Sequence, residues 1–336
     1  MKKVLVSGYI GFNNFGDEAI FYALSSHLKK NGFSVSALCN NCDEVKKEYD
    51  VNVFHFKKPF EILKAISKCD ILISGGGSLL QNKTSNFSLF YYLFIIFLAK
   101  IFFKKVIIFA QGIEPIIGKI PELATMSILK MTNFISVRDE KSRKYLKSFN
   151  IDATLVSDPA YSLVQEEKIS QNKSGIIIQL RQFKGIDSEF IQNLAWIISQ
   201  ISDEKIKVFS FQDEIDEKIC LEFIQELKKY GVSADYISAK SPQDTINIIN
   251  NSKYVISTRL HGLIISSALK SKTLALSYDE KIKTLCNELD IEQIDIFNYS
   301  KEEMFDKIKK LFKQKEEKKY PYRRFDWDKI DEAINK

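Results

Sequence analysis

Short apolar, β-branched runs recur along this chain, each followed by a glycine-rich or polar turn and then by residues at helical spacing. The runs are apolar on consecutive positions rather than alternate ones, so both faces of each strand must be buried. Strands of that kind belong to parallel sheets, and parallel neighbours need crossover helices between them. In the first half the strand runs are Lys3 to Gly8, Cys69 to Ser74, Lys105 to Ala110 and Phe134 to Val137. Between them, Asp17 to Lys30 repeats Ala19, Ile20, Ala23, Leu24 and Leu28 at a helical period. The pattern loosens after Asp158-Pro159-Ala160-Tyr161 into a polar segment at 165–174 that reads as a linker. It then restarts with strands at 175–180, 205–210, 234–237 and 254–257 and helices at 188–201, 214–230, 242–250, 281–289 and 301–312. A chain of 336 residues accommodates two domains. The expected architecture is therefore α/β, with two Rossmann-like, doubly wound domains facing a cleft. The first covers 1–165 and the second 172–313. A basic tail and a final helix at 327–334 occupy 314–336, with the option of crossing back to the first domain.

The bulk numbers bound the function classes. Hydrophobic content of 45% and charged content of 27% are those of a globular protein. The net charge of +6 is modest, and no nucleic-acid partner is expected. Six basic residues stand between Lys313 and Arg324, against Glu316 and Glu317. That run reads either as a solvated segment or as a patch facing acidic lipid or nucleotide. Five cysteines without a regular framework imply a reducing, cytoplasmic setting. Cys39 and Cys42 form a lone CxxC with no second pair beside it, so no metal site is expected. Met1 to Ser7 reads as a first strand and not as a signal peptide. The segment 87–103 is rich in Phe, Leu and Ile, but Ser88, Tyr91, Tyr92 and Lys100 interrupt it. It falls short of the ~20 apolar residues of a membrane span. A buried core helix is the first reading, and shallow membrane contact is the alternative.

Chemistry concentrates where strands feed helices. Thr258-Arg259-Leu260-His261-Gly262 follows one such strand, and Lys281 follows the next. Ligands of open α/β sheets bind at the carboxyl ends of strands, beside helix N-termini. Arg, His and Lys on neighbouring loops there suit an anionic substrate, with an acid–base group among them. Arg181 ends the first strand of the second domain and is a further anion ligand by position. Arg138 ends the strand 134–137, where it either binds an anion or pairs with an acid. The loop from Gly8 to Gly16, with Gly11 and Asn14, is neither a GxGxxG fingerprint nor a P-loop. Asp17, at the helix start, is read either as an N-cap or as a carboxylate base. Gly75, Gly76 and Gly77 are expected to expose amides at a helix N-terminus, a cradle for a phosphate or a sugar hydroxyl. His27 and His55 read as structural.

Taken in order, these segments resemble the polysaccharide pyruvyl transferase family. The likeness is carried by GYIGFNNFGDEAI at 8–20, ISGGGSLLQ at 73–81, TSNFSLFYYL at 84–93 and QGIEPI at 111–116. It continues in SVRDEKS at 136–142, SDPAY at 157–161, TRLHGLI at 258–264 and SYDEKI at 277–282. Glu114 departs from the glycine more usual in QGIGPI. The resemblance implies a GT-B-like fold, phosphoenolpyruvate as donor and a sugar diol as acceptor, carried on a glycan or a lipid-linked sugar. The product would be a pyruvate ketal. Carried over by position, the donor site looks like Arg259, His261 and Lys281, with Arg138 and Arg181 as further candidates. The acceptor falls to the first domain's loops, at Gly11, Asn14, Gly16, Gly75, Gly76, Gly77, Ser78 and Gln81. His261 suits the acid that protonates the donor's methylene, and Asp17 the base. Arg and Lys can neutralise the phosphate, so no metal or other cofactor is expected. A lipid-linked acceptor would bring the chain to the anionic inner leaflet of the cell membrane. The competing readings are a GT-B glycosyltransferase with a nucleotide-sugar donor and a non-catalytic glycan-binding protein.

Overall fold

The structure, a computed structural model, describes residues 1–83, 85–165, 167–183, 186–201, 203–314, 320–321 and 323–336. Residues 315–319 and 322, half of the basic run at 313–324, lie outside the described residues. The chain divides into two compact units, Met1–Leu163 with Arg324–Lys336, and Val164–Arg323.

Unit 1 alternates β1 (Lys3–Ser7), α1 (Phe15–Lys30), β2 (Ser34–Cys39), α2 (Cys42–Tyr49), β3 (Asn52–His55), α3 (Pro59–Lys68) and β4 (Ile71–Ser74). It continues through α4 (Asn86–Ile101), β5 (Lys105–Gln111), α5 (Lys119–Lys130), β6 (Phe134–Val137), α6 (Glu140–Lys147), β7 (Thr154–Leu155) and α7 (Ala160–Val164). The seven strands are parallel, in the order β3-β2-β1-β4-β5-β6-β7. Unit 2 runs β8 (Ile176–Gln179), α8 (Ser188–Ile201), β9 (Ile206–Ser210), α9 (Asp213–Lys229), β10 (Ala234–Ser238), α10 (Pro242–Asn250) and β11 (Tyr254–Ser257). It closes with α11 (Leu260–Ala268), β12 (Lys272–Ser277), α12 (Glu280–Leu289), β13 (Glu292–Asp295) and α13 (Lys301–Lys313). Its six parallel strands follow the order β10-β9-β8-β11-β12-β13. The last helix, α14 (Asp328–Asn335), belongs to unit 1.

Successive side chains of a strand point to opposite faces, and the cores follow that rule. In unit 1, Leu5, Leu72, Val106 and Ile108 join the cluster under α3 to α6. Their neighbours Val4, Val6, Ile71, Ile73, Ile107 and Phe109 join the opposite cluster. That second cluster is completed by Phe325, Ile330 and Ile334 of the C-terminal segment. His27 fastens the segment, with Nε2 2.7 Å from Asp331 Oδ1 and its ring stacked on Trp327 at 3.8 Å. His27 is thus structural, and so is His55, whose Nδ1 accepts from Lys57 N at 3.2 Å.

Both sheets are wound outward from a central pair. The order in which strands are added reverses between β1 and β4 in unit 1 and between β8 and β11 in unit 2, with every strand parallel. At such a switch point the loops at the carboxyl ends diverge and leave a crevice. Two local expectations change. The segment 87–103 is not a wholly buried helix: Leu89, Tyr92, Leu93, Ile95, Ile96 and Ala99 are buried, whereas Phe87, Phe90, Phe94, Phe97 and Ile101 are exposed. Gly75 to Gly77 do not open a helix either, because α4 begins only at Asn86, capped by the Ser85 hydroxyl. Among the described residues, no helix is long and apolar enough to cross a membrane.

Candidate functional site

In unit 1 the loop after β1 and the loop after β4 flank the switch point. Asn14 caps α1 by accepting from Gly16 N at 3.2 Å, so Asp17 is not the cap. Asp17 instead faces the second loop: a Cβ at Gly77 would stand 2.7 Å from Asp17 Oδ1. Gly77 also has φ +94°, which a side chain resists. The Gly75 amide is spent on Ser7 O at 2.7 Å, and a Cβ at Gly76 would meet Ile20 at 2.7 Å. These glycines thus serve close approach between β1, α1 and the β4 loop. Gln81 accepts from Lys83 N at 2.8 Å and shapes the turn beyond.

Gly11 has φ +74°, and its amide donates to Glu18 Oε1 at 2.7 Å. Glu18 Oε2 takes the Tyr49 hydroxyl at 2.9 Å. Burial pushes the Glu18 carboxyl up to about 7, against the hydrogen bonds from Tyr49 and Gly11. On the far side of the β4 loop, Arg138 donates to Asp158 at 2.7 Å and to Ser78 Oγ at 3.2 Å. Its guanidinium lies against Gly112, where a Cβ would stand 3.0 Å from Nε. Arg138 is therefore a partly buried cation, paired with an acid, on the loops of unit 1.

In unit 2, β8, β11 and β12 lie side by side in register, with Gln179 opposite Ser257 and Ser257 opposite Ala275. Arg181, Arg259 and Ser277 each stand two residues beyond that row. Buried Gln179 sets the β11 loop: its Oε1 accepts from Arg259 N at 2.9 Å and from the Ser257 hydroxyl at 2.9 Å. Gly262 lets the start of α11 close onto the strand end, since a Cβ there would stand 2.4 Å from Ser257 Oγ.

The Arg259 side chain turns to α9. Its Nη2 lies 2.8 Å from both oxygens of Asp216, which is fully buried. Burial raises the Asp216 carboxyl and Arg259 opposes it. Arginine stays protonated in proteins, so the pair is ionic. Arg181 shares the field of both groups. Its Nη1 donates to the Tyr278 hydroxyl at 2.8 Å, and Tyr278 stacks on Phe183 at 4.5 Å. Two arginines and one carboxylate leave one positive charge in this cluster. Among the described residues, neither Arg181 Nε nor Arg259 Nε has a hydrogen-bond acceptor, though both are buried. α11 begins there with no side-chain cap, and His261 lies in its first turn. Lys281 lies in the first turn of α12, which packs beside α11. Asp279 caps α12 by accepting from Ile282 N at 2.9 Å.

A family model described as polysaccharide pyruvyl transferase matches residues 14–280. The chain belongs to the polysaccharide pyruvyl transferase family. The match begins at Asn14, after β1 and most of its loop, covers the unit 2 switch point, and stops one residue before Lys281. The family is one of transferases. No curated protein matches the chain in sequence. Among solved structures it resembles the UDP-GlcNAc 2-epimerase of Methanocaldococcus jannaschii, with TM-score 0.67 and 12% identity over 100% of this chain and 99% of that one. A putative UDP-N-acetylglucosamine 2-epimerase of Listeria monocytogenes gives TM-score 0.67 and 12% identity, over 94% of this chain and 89% of that one. HepE of Anabaena, solved with UDP and glucose, gives TM-score 0.56 and 9% identity over 93% and 90%. At such identities the likeness is one of fold, and the fold is GT-B-like.

Sequence reading missed Asp216, Glu18 and Gln179. Asp216 carried a signal: it stands on the stripe with Ile219, Cys220 and Phe223, so a carboxylate occupies an apolar register. Gln179 ends an otherwise apolar strand, where only its partners explain it.

Proposed function

We propose that this chain transfers the pyruvyl group of phosphoenolpyruvate to two hydroxyls of a sugar, forming a ketal and releasing phosphate. The observation that carries this reading is the pair of buried, unaccepted guanidinium donors of Arg181 and Arg259, at the switch point and beside an uncapped helix start. Buried donors without acceptors are costly, by ~1–3 kcal/mol each, unless a ligand takes them. Phosphoenolpyruvate offers a phosphate and a carboxylate, both suited to planar guanidinium forks.

In this reading Arg181, Arg259 and Lys281 hold the donor anion, and Asp216 fixes Arg259. His261 gives a proton to the methylene carbon, leaving C2 electron-poor. One sugar hydroxyl adds to C2, the C2–O bond to phosphate breaks, and the second hydroxyl adds in turn. The two hydroxyl protons leave to a base and to the departing phosphate. Asp17, held beside Gly77, is the proposed base. The loops of unit 1 with Gly11, Asn14, Gly16, Gly75 to Ser78 and Gln81 are proposed for the acceptor. Arg138, paired with Asp158 on the same unit, is a second anion contact. The acceptor is a sugar diol of a surface glycan or of its lipid-linked precursor.

A nucleotide-sugar donor is the second reading, favoured by the UDP ligands of structures with this fold. The Asp279 carboxylate, which could hold a ribose, is committed to capping α12. The test is incubation with phosphoenolpyruvate and a panel of sugar diols, read by phosphate release and by the ketal methyl signal in NMR. Both should appear together and vanish in His261→Ala. Turnover of UDP-sugars with inert phosphoenolpyruvate would replace this reading by the second.

A further inference from the structure

The outer face of α4 is an apolar stripe that the core of unit 1 does not use. Phe87, Phe90, Phe94, Phe97 and Ile101 follow one another at spacings of three and four, and their exposure runs from 40% at Phe97 to 81% at Phe87. The inner face already fills the space under the helix, so the stripe stays exposed among the described residues of the unit. Past the end of α4, Phe103 is 96% exposed, and the neighbouring α5 adds Ile120 and Leu123.

The stripe ends at a basic recess of about 650 Å³. Phe103 lines it together with Lys100, Lys104, Lys105, Lys329 and Lys336, and Glu332 is the one carboxylate side chain among the described lining residues. Lys336 pairs with Glu332. The other four ammonium groups donate to neutral oxygens: Lys100 to Asn133 Oδ1 at 3.0 Å, Lys104 to Ser67 O at 3.0 Å, Lys105 to Ile334 O at 3.3 Å and Lys329 to Leu155 O at 3.4 Å. A row of aromatic rings continuous with uncompensated lysines is the chemistry that recognises an anionic bilayer. The rings enter the headgroup boundary, and the lysines meet lipid phosphates. A second copy of the helix fits less well, because a helix–helix seam is flanked by charges of both signs and α4 has no carboxylate.

We propose that this face of unit 1 docks on an anionic lipid leaflet. Asn82 ties the amino-terminal end of α4 to the Ile117 loop, through bonds of 2.7 and 2.8 Å to Ile117 O and N. That end follows the Gly75–Gln81 loop, so the docked helix brings the carboxyl edge of unit 1 to the headgroups. The additional step, that the acceptor sugar is carried on a lipid, rests on the acceptor role proposed above; the docking itself does not.

The test is flotation of the full chain with phosphatidylcholine vesicles, with and without phosphatidylglycerol, and needs no substrate. Binding to the anionic vesicles should weaken at least tenfold on neutral ones and in high salt. The triple variant Phe90→Ser/Phe94→Ser/Phe97→Ser should lose binding, and Lys104→Glu/Lys329→Glu should weaken it at least tenfold. Both variants should keep the wild-type thermal transition; the lysine pair, outside the core, decides alone should the phenylalanine variant unfold. Wild type that floats with neither vesicle, or folded variants that bind like wild type, would overturn the proposal. So would a wild-type dimer in sedimentation that the phenylalanine variant splits, since a second copy would then cover the stripe.

Discussion

Asp216 governs the charge of the unit 2 cluster. Its carboxylate is buried and takes both Arg259 bonds. Asp216→Ala leaves the guanidinium buried without its counter-charge and should cost about 3–5 kcal/mol in urea denaturation, whereas replacing both partners by apolar residues should cost less. Glu18 makes a pH-dependent contribution. Its carboxyl is near 7 when folded against an ordinary 4.5, so folding takes up a proton between those values. Its contribution is complete below 4.5 and is lost as pH rises through 7. Glu18→Gln cannot ionise, so its stability relative to wild type should rise between pH 5 and 8, by up to ~3 kcal/mol. A difference in melting temperature that stays flat across that window would contradict the assignment. Arg181 and Arg259 were legible from position alone, as strand-end cations. Asp216 was hidden among Asp213, Glu214 and Glu217, where acids at a helix start are common.

The central elements of both sheets were legible because they are apolar on consecutive positions, as buried parallel strands must be. The edge strands β3, β7 and β13 were not, since their sequences carry no continuous apolar run. Neither was β2, whose apolar residues are interrupted by Ser34 and Ser36; the edge strand β10 was read although it is half-exposed. The Gly75–Gly77 turn misled for a related reason. Glycine clusters mark both amide cradles and tight packing, and only the contacts with Ile20 and Asp17 separate the two. The register of α11 on β11 depends on Gly262 in the same way. Gly262→Ala sets a Cβ 2.4 Å from Ser257 Oγ and 3.2 Å from Ser257 Cβ, so the helix start or the buried Ser257 side chain must shift. The expected cost is ~1–3 kcal/mol of overpacking. Because Arg259 and His261 ride on that helix start, donor affinity should fall with it. Unchanged stability and affinity would show that the contact relaxes freely.

At the scale of the molecule, two sheets of the same winding each present loops at their switch point, and the alternation of strand and helix made that visible. For the final helix at 327–334 the sequence left a crossing back to the first domain as an option. Phe325, Ile330 and Ile334 close one face of the first sheet, so a chain ending at 323 should lose amide-exchange protection within 1–163 and keep it in unit 2. The central claim is that the unit 2 cluster takes the donor, and calorimetric titration of phosphoenolpyruvate into wild type and Arg181→Ala tests it most directly. The account predicts saturable binding by wild type, weakened at least tenfold in the variant by loss of a charge-assisted bond of ~1.5–3 kcal/mol, and no comparable binding of UDP. Equal affinity in both proteins, or tight binding of UDP with none of phosphoenolpyruvate, would contradict it.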